Sequence, residues 1–171
     1  MKKLFFVPFL CCSSLFVHSQ QQDYTLQAID FTRVKLDDNF WLPRIETNRT
    51  VTIPASCARC ESTGRIENFI KAATHKGEFG TDFPFDDTDI YKTIEGASYS
   101  LAVHPDAKLE AYVDSLITII QISQEPDGDC YTSRTIDSLH PKLLSWTGPK
   151  RWLNERKMSH ELYDAGPARQ S

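Results

Sequence analysis

Apolar positions recur at helical spacing over most of this chain. In "DDTDIYKTIEGASYSLAVHP", Ile90, Ile94, Ala97 and Leu101 follow at steps of 4, 3 and 4, one face of an amphipathic helix over 88–103. Asp87 or Thr88 is placed to cap it, and the acids of its first turn suit the positive end of the helix dipole. His104-Pro105 stops it. A second helix, 107–123, follows at once with Leu109, Tyr112, Val113, Leu116 and Ile120 as its stripe, and Pro126-Asp127-Gly128 turns the chain. Two such helices across a short connection predict an antiparallel hairpin. Upstream, "STGRIENFIKAA" places Ile66, Phe69, Ile70 and Ala73 on one face of a shorter helix. Pro54 suits the first turn of a helix opening after Thr52. Phe40 and Trp41 begin a helical region after the turn Asp37-Asp38-Asn39, and "FTRVKL" at 31–36 reads as a short edge strand.

Two stretches break this regularity. "DCYTSRTIDSLHPKLLSWTGPKRWLNERKM" shows no clean period, and a long structureless stretch in a compact domain usually carries function or wraps something. "SHELYDAGPARQS" reads as a helix capped by Ser159, with His160 and Glu161 in its first turn, that meets Gly166-Pro167 and ends. The expected fold class is all-α: an edge strand and about five helices whose apolar stripes need a further layer to cover them. The chain reads as the first part of a larger helical domain.

The N-terminus stands apart. "MKKLFFVPFLCCSSLFVHSQ" has two lysines, an apolar run from Leu4 to Phe16 and a small residue at Ser19, which is the pattern of a secretory signal peptide over 1–19. The run is too short to span a bilayer, which takes ~20 apolar residues. Phe9 and Leu10 are large where a lipid-anchor site at Cys11 or Cys12 wants small side chains. Export to the periplasm or medium is expected. The composition is that of a soluble globular protein, 40% hydrophobic and 25% charged. A net charge of −4 gives no basic footprint for nucleic acid.

The chemical motifs are sparse. Cys57-Ala-Arg-Cys60 is a C-x-x-C without the second pair that a zinc site needs or the βαβ context of a redox motif, so two incidental helical cysteines are the simpler account. Cys57, Cys60 and Cys130 are an odd set beyond the leader and do not make a disulfide scaffold. His160-Glu161 invites the H-E-x-x-H metalloprotease reading, which fails because position 164 is Asp164. Asp86, Asp87, Asp89 and Glu95 offer the paired carboxylates of glycoside hydrolysis, but capping explains acids at a helix start. No nucleophile elbow or phosphate loop is present. Residue chemistry alone stops at an exported helical domain.

Three segments read together go further. "FTRVKLDDNFWLPRIETNRTVTIPASCARCESTGRIENF", "FPFDDTDIYKTIEGASYSLAVHPDAKLEAYVDSLITIIQISQEPDGDCYT" and "RWLNERKMSHELYDAG" resemble the N-terminal part of glycoside hydrolase family 127, the β-L-arabinofuranosidase-like enzymes. The resemblance covers residues 30–166. It implies the opening helices of an (α/α)6 barrel and, for the full-length family, removal of β-linked L-arabinofuranose from plant glycans with retention. It also implies a zinc-held cysteine nucleophile and a glutamate acid/base, which in the family lie beyond the end of this chain. Cys57, Cys60 and Cys130 do not match those positions, so no catalytic residue and no cofactor are expected here. His160 matches a family histidine that contacts the sugar, Glu161 is its motif neighbour, and Asp89 and Lys92 fall in a motif near the barrel core. The family continues past Ala165-Gly166 with His and helix formers, so Pro167–Ser171 read as a frameshifted or truncated tail. The chain alone is then expected to be inactive. The alternative is a carbohydrate-binding or interaction module, suggested by the aromatic loops at 79–85 and 146–152.

Overall fold

Asp38 opens the first helix. Its carboxylate accepts from the amides of Phe40 (2.7 Å) and Trp41, the local pairing by which Asp starts helices and turns. The computed structural model describes residues 27–137, Trp152 and 159–168, and all regular structure among them is helical. The expected signal peptide, Trp146 and residues 169–171 lie outside the described residues. The chain divides into Met1–Val34 and Lys35–Ser171.

In the first unit, Phe31–Arg33 is a 3-10 helix rather than the expected strand. Asp30 Oδ1 accepts from Thr32 N (2.9 Å) and Thr32 Oγ1 (2.7 Å), and this local turn wins over the weak alternation of "FTRVKL".

In the second unit, α1 (Trp41–Thr47), a π-helical segment (Asn48–Thr52) and α2 (Ile53–Ser62) run on without a break. Pro54 stands in the first turn of α2, as expected, although α2 continues directly from the π segment. Proline lacks an N–H, and the ladder widens to π spacing just before it. Gly64 (φ 79°) turns the chain into α3 (Arg65–Thr74). That backbone is left-handed, where a Cβ is penalised.

The buried face of α3 is Asn68, Phe69 and Ala72, rotated from the expected 66, 69, 70, 73 stripe. Ile70 is exposed. The cause is Asn68, which satisfies both ends of its amide on the 75–86 loop. It accepts from Gly80 N (3.0 Å) and donates to Thr81 Oγ1 (3.1 Å). The hairpin is as expected: α4 (Asp87–Val103) buries Ile90, Ile94 and Ala97, and α5 (Ala107–Ser123) buries Val113 and Leu116. Asp106 caps α5 through the amides of Lys108 (2.9 Å) and Leu109 (3.2 Å). Gly128 (φ 86°) makes the turn that follows. One core joins these helices: Ile53, Phe69, Ile90, Tyr91, Ile94 and Leu116 lie at its centre.

The aperiodic stretch is not structureless at its start. Thr132–Asp137 forms a short helix, α6, and Tyr131 to Thr135 are all buried. The last helix, α7 (Glu161–Ala168), begins at Glu161, and its backbone continues through Gly166-Pro167 instead of stopping there.

Candidate functional site at the start of the last helix

Ser159, His160 and Glu161 are buried, exposed and buried in turn. The alternation comes from the backbone. His160 sits at φ 54°, the left-handed region that a non-glycine residue visits at a cost. This corner turns the imidazole outward while its neighbours turn in. The His160 ring meets the Phe85 ring edge-on, with centroids 4.6 Å apart, and Phe85 stacks on Phe83 at 5.3 Å. Phe83 is exposed.

The inward neighbours are tied to the segment around α6. The Tyr131 hydroxyl donates to the Ser159 carbonyl. Arg134 donates through Nη1 to Glu161 Oε1 and through Nη2 to Asp129, with Glu125 at 3.5 Å. The other Glu161 oxygen accepts from Trp152 N at 3.0 Å. Burial alone would lower the Arg134 pKa, but the hydrogen bonds and charges of Glu161 and Asp129 outweigh it and hold Arg134 cationic.

The same segment is anchored to α4. Asp87 was expected as a capping residue, as was Thr88. The N-cap position belongs to Asp86, which makes no side-chain cap bond. Asp87 instead is buried and accepts from Thr132 N (2.7 Å) and Thr132 Oγ1 (2.6 Å). Burial pushes its carboxyl up to about 7, although the Thr132 bonds oppose the shift.

Asp89, two residues on, faces elsewhere. Its carboxylate pairs with Arg65 Nε at 2.5 Å, and Arg65 also reaches Asp86 at 3.4 Å. Asp89 and Lys92 line a cleft of about 770 Å³ between the π segment, α2 and α4, together with Arg59, Arg65 and Thr93. His160 and Glu161 are not on that cleft. The structure therefore separates the sequence candidates into two places. Lys92 connects them, because its ammonium lies 5.0 Å from the Tyr163 ring on α7. The acids at the head of α4 do not act as a pair: Asp86 and Asp89 serve Arg65, and Asp87 serves Thr132.

Sequence reasoning missed Arg134, Tyr131 and Asp87 as parts of this corner. The available signal was the lack of period around 129–135, which marked the segment without saying what it held.

Residues 33–168 match the family model for the β-L-arabinofuranosidase, GH127 catalytic domain. The chain belongs to this family. A non-reducing end β-L-arabinofuranosidase from Bifidobacterium longum subsp. longum is 36% identical over 116 residues, which is 66% of this chain and 16% of that protein. A solved GH127 β-arabinofuranosidase is 49% identical, with a TM-score of 0.77 over 83% of this chain and 22% of the other. A GH127 β-L-arabinofuranosidase from Geobacillus stearothermophilus is 33% identical, with a TM-score of 0.70 over 80% of this chain and 21% of its own. The chain thus spans less than a quarter of the length of these relatives. Its helices are part of the family's (α/α)6 barrel.

The described residues of this GH127 chain do not fit a zinc centre. Among them, no three His, Cys, Asp or Glu side chains come together in a way that could hold a metal. Cys57, Cys60 and Cys130 are free thiols. Burial raises all three, Cys130 to about 11, so each is protonated at neutral pH. Cys60 lies 3.8 Å from Thr93 Oγ1 and Cys130 lies 3.4 Å from Ser123 Oγ, which are the environments of packed thiols. No described helix is long and apolar enough to cross a membrane.

Proposed function

We propose that this chain is the N-terminal portion of the catalytic domain of an exported GH127 enzyme acting on L-arabinofuranose-containing plant glycans. In this reading His160 contacts the arabinofuranosyl unit. Glu161 and Asp89 belong to the substrate-binding region, Glu161 as the buried support behind His160. The observation that carries it is the outward imidazole at a left-handed corner beside Phe85, in a chain matched to the family over 33–168. A backbone held in that conformation persists only where its surroundings enforce it. The polypeptide by itself is expected to be inactive: by the family resemblance the zinc ligands and the groups that perform the displacement are other residues, and the thiols here are protonated.

The test is a graft. Residues 33–168 of this chain replace the matching segment of a solved relative, and arabinose release from a β-L-arabinofuranoside is measured. An active chimaera that loses turnover with His160→Ala supports the reading. A folded chimaera that is inactive, or one indifferent to His160→Ala, sinks it. Release of arabinose by the 171-residue chain alone would refute the inactivity. Fusion of residues 1–19 to a reporter tests export.

A binding module without catalysis is the second reading, favoured by the stacked Phe83–Phe85 pair beside His160. Aromatic faces dock sugars well. It predicts saturable, arabinose-dependent amide shifts in the isolated chain together with a chimaera that cannot hydrolyse.

A further inference from the structure

We propose that Arg134, seconded by Tyr131, is a positioning residue for His160. The proposal rests on the reading of His160 as a sugar-contacting residue. Its structural content can be judged without any sugar.

His160 occupies backbone territory that L-residues avoid, so something other than its own preference keeps it there. Both of its neighbours are held, and by the same turn of chain. The Tyr131 hydroxyl takes the carbonyl of Ser159 on one side. The Arg134 guanidinium takes the carboxylate of Glu161 on the other. Tyr131 and Arg134 are three residues apart on one helical turn, so both reach the same side of the chain. All four partners are buried, where directed hydrogen bonds are strongest and are costly to break.

The turn is itself fixed from behind. Arg134 Nη2 reaches Asp129 and Glu125, and Glu125 also accepts from Thr135 Oγ1 at 2.9 Å. Thr132 is fastened to Asp87 at the head of α4. Phe85, the ring that His160 meets, directly precedes that head and accepts through its carbonyl from Thr88 N at 3.3 Å. The contacts therefore close on themselves: Phe85 to His160, Glu161 to Arg134, Thr132 to Asp87, and back along the chain to Phe85. A simple stabilising ion pair would need one carboxylate. Here one guanidinium serves three, Glu161 from Nη1 and Asp129 and Glu125 from Nη2, a fixed fork of two nitrogens that lysine's single ammonium nitrogen does not reproduce.

The experiment is sugar-free NMR of the 171-residue chain with ¹⁵N-labelled histidine, followed by the same measurement on Arg134→Met, Arg134→Lys and Tyr131→Phe. The readout is the ring-current displacement of the His160 imidazole and its cross-peaks to Phe85. Ile94 methyl shifts report whether the core is intact. With the core intact, Arg134→Met is expected to lose the His160–Phe85 cross-peaks and most of the displacement. Arg134→Lys should not restore them. Tyr131→Phe, which removes only the hydroxyl, should shift the signals the same way to a smaller extent. Unchanged His160 signals in Arg134→Met with an intact core overturn the proposal. If Arg134→Met unfolds, Tyr131→Phe decides: unchanged His160 signals overturn it and displaced ones support it. Titration of the wild type with L-arabinose is scored separately. Its failure would remove the binding-module reading; failure of the chimaera to depend on His160 would remove the sugar-contact reading; either would leave the clamp standing.

Discussion

Asp87→Asn should make the protein more stable at neutral pH and remove much of its sensitivity to pH. Asp87 is buried at the head of α4, with both oxygens turned to Thr132. Its carboxyl titrates near the ordinary 3.8 in the unfolded chain and is pushed up to about 7 in the folded one, by burial first. Below about pH 4 the group is neutral in both states and costs nothing. As pH rises from about 4 to about 7 the unfolded chain releases this proton and the folded chain keeps it, so stability falls through that window. At about 1.4 kcal/mol per tenfold change in proton affinity, the loss is of order 4 kcal/mol by pH 7. Asparagine fits the same place without the charge. Its amide oxygen takes Thr132 N–H, and its NH2 donates to the Thr132 hydroxyl, which turns to accept. The assay is urea unfolding of both proteins at pH 4.5 and pH 7. The difference between the two proteins isolates Asp87 from Asp86, whose carboxyl burial also raises. A variant less stable than wild type at pH 7, or an unchanged difference at the two pH values, would refute the reasoning.

Two further outcomes are expected. Ile94→Ala, at a site with 0% exposure, should cost ~2–5 kcal/mol of unfolding free energy, read as a lower urea midpoint at an unchanged slope. Cys130, pushed up to about 11 by burial, should resist iodoacetamide at pH 7.5 in the folded chain and react once urea unfolds it; fast labelling of the native protein would contradict the packed-thiol reading.

Periodicity found what the helices bury among apolar side chains. The Ile90–Ile94–Ala97 stripe and the Val113–Leu116 stripe are where spacing placed them, because each is decided by side chains on a single helix meeting one core. It missed wherever a polar side chain decided the geometry. Asn68 rotated α3 by bonding a loop twelve residues away, and Asp30 closed a turn where alternation suggested a strand. Asp87 looked like a cap because acids at a helix start usually are caps. Its partner, Thr132, lies 45 residues downstream, beyond the reach of any local pattern. The motif "SHELYDAG" drew attention to His160 and Glu161, but the residues at 131–134 that bond the flanks of His160 could be assigned only once the fold had joined them.

The helix that begins at Glu161 therefore owes its start to pairings rather than to its own sequence. An isolated helix of eight residues is below the length at which helices hold themselves in water, since nucleation is costly and must be spread over many turns. Its first turn is secured from outside: Arg134 on Glu161, Tyr131 on the residue before His160, and Lys92 over Tyr163. Each of these partners belongs to α4 or to the segment around α6. A short helix that is set by its surroundings can carry an unfavourable corner at its entrance, because the tethers that start the helix also enforce the corner. The position of His160 thus depends on the packing of α4 and of the segment around α6.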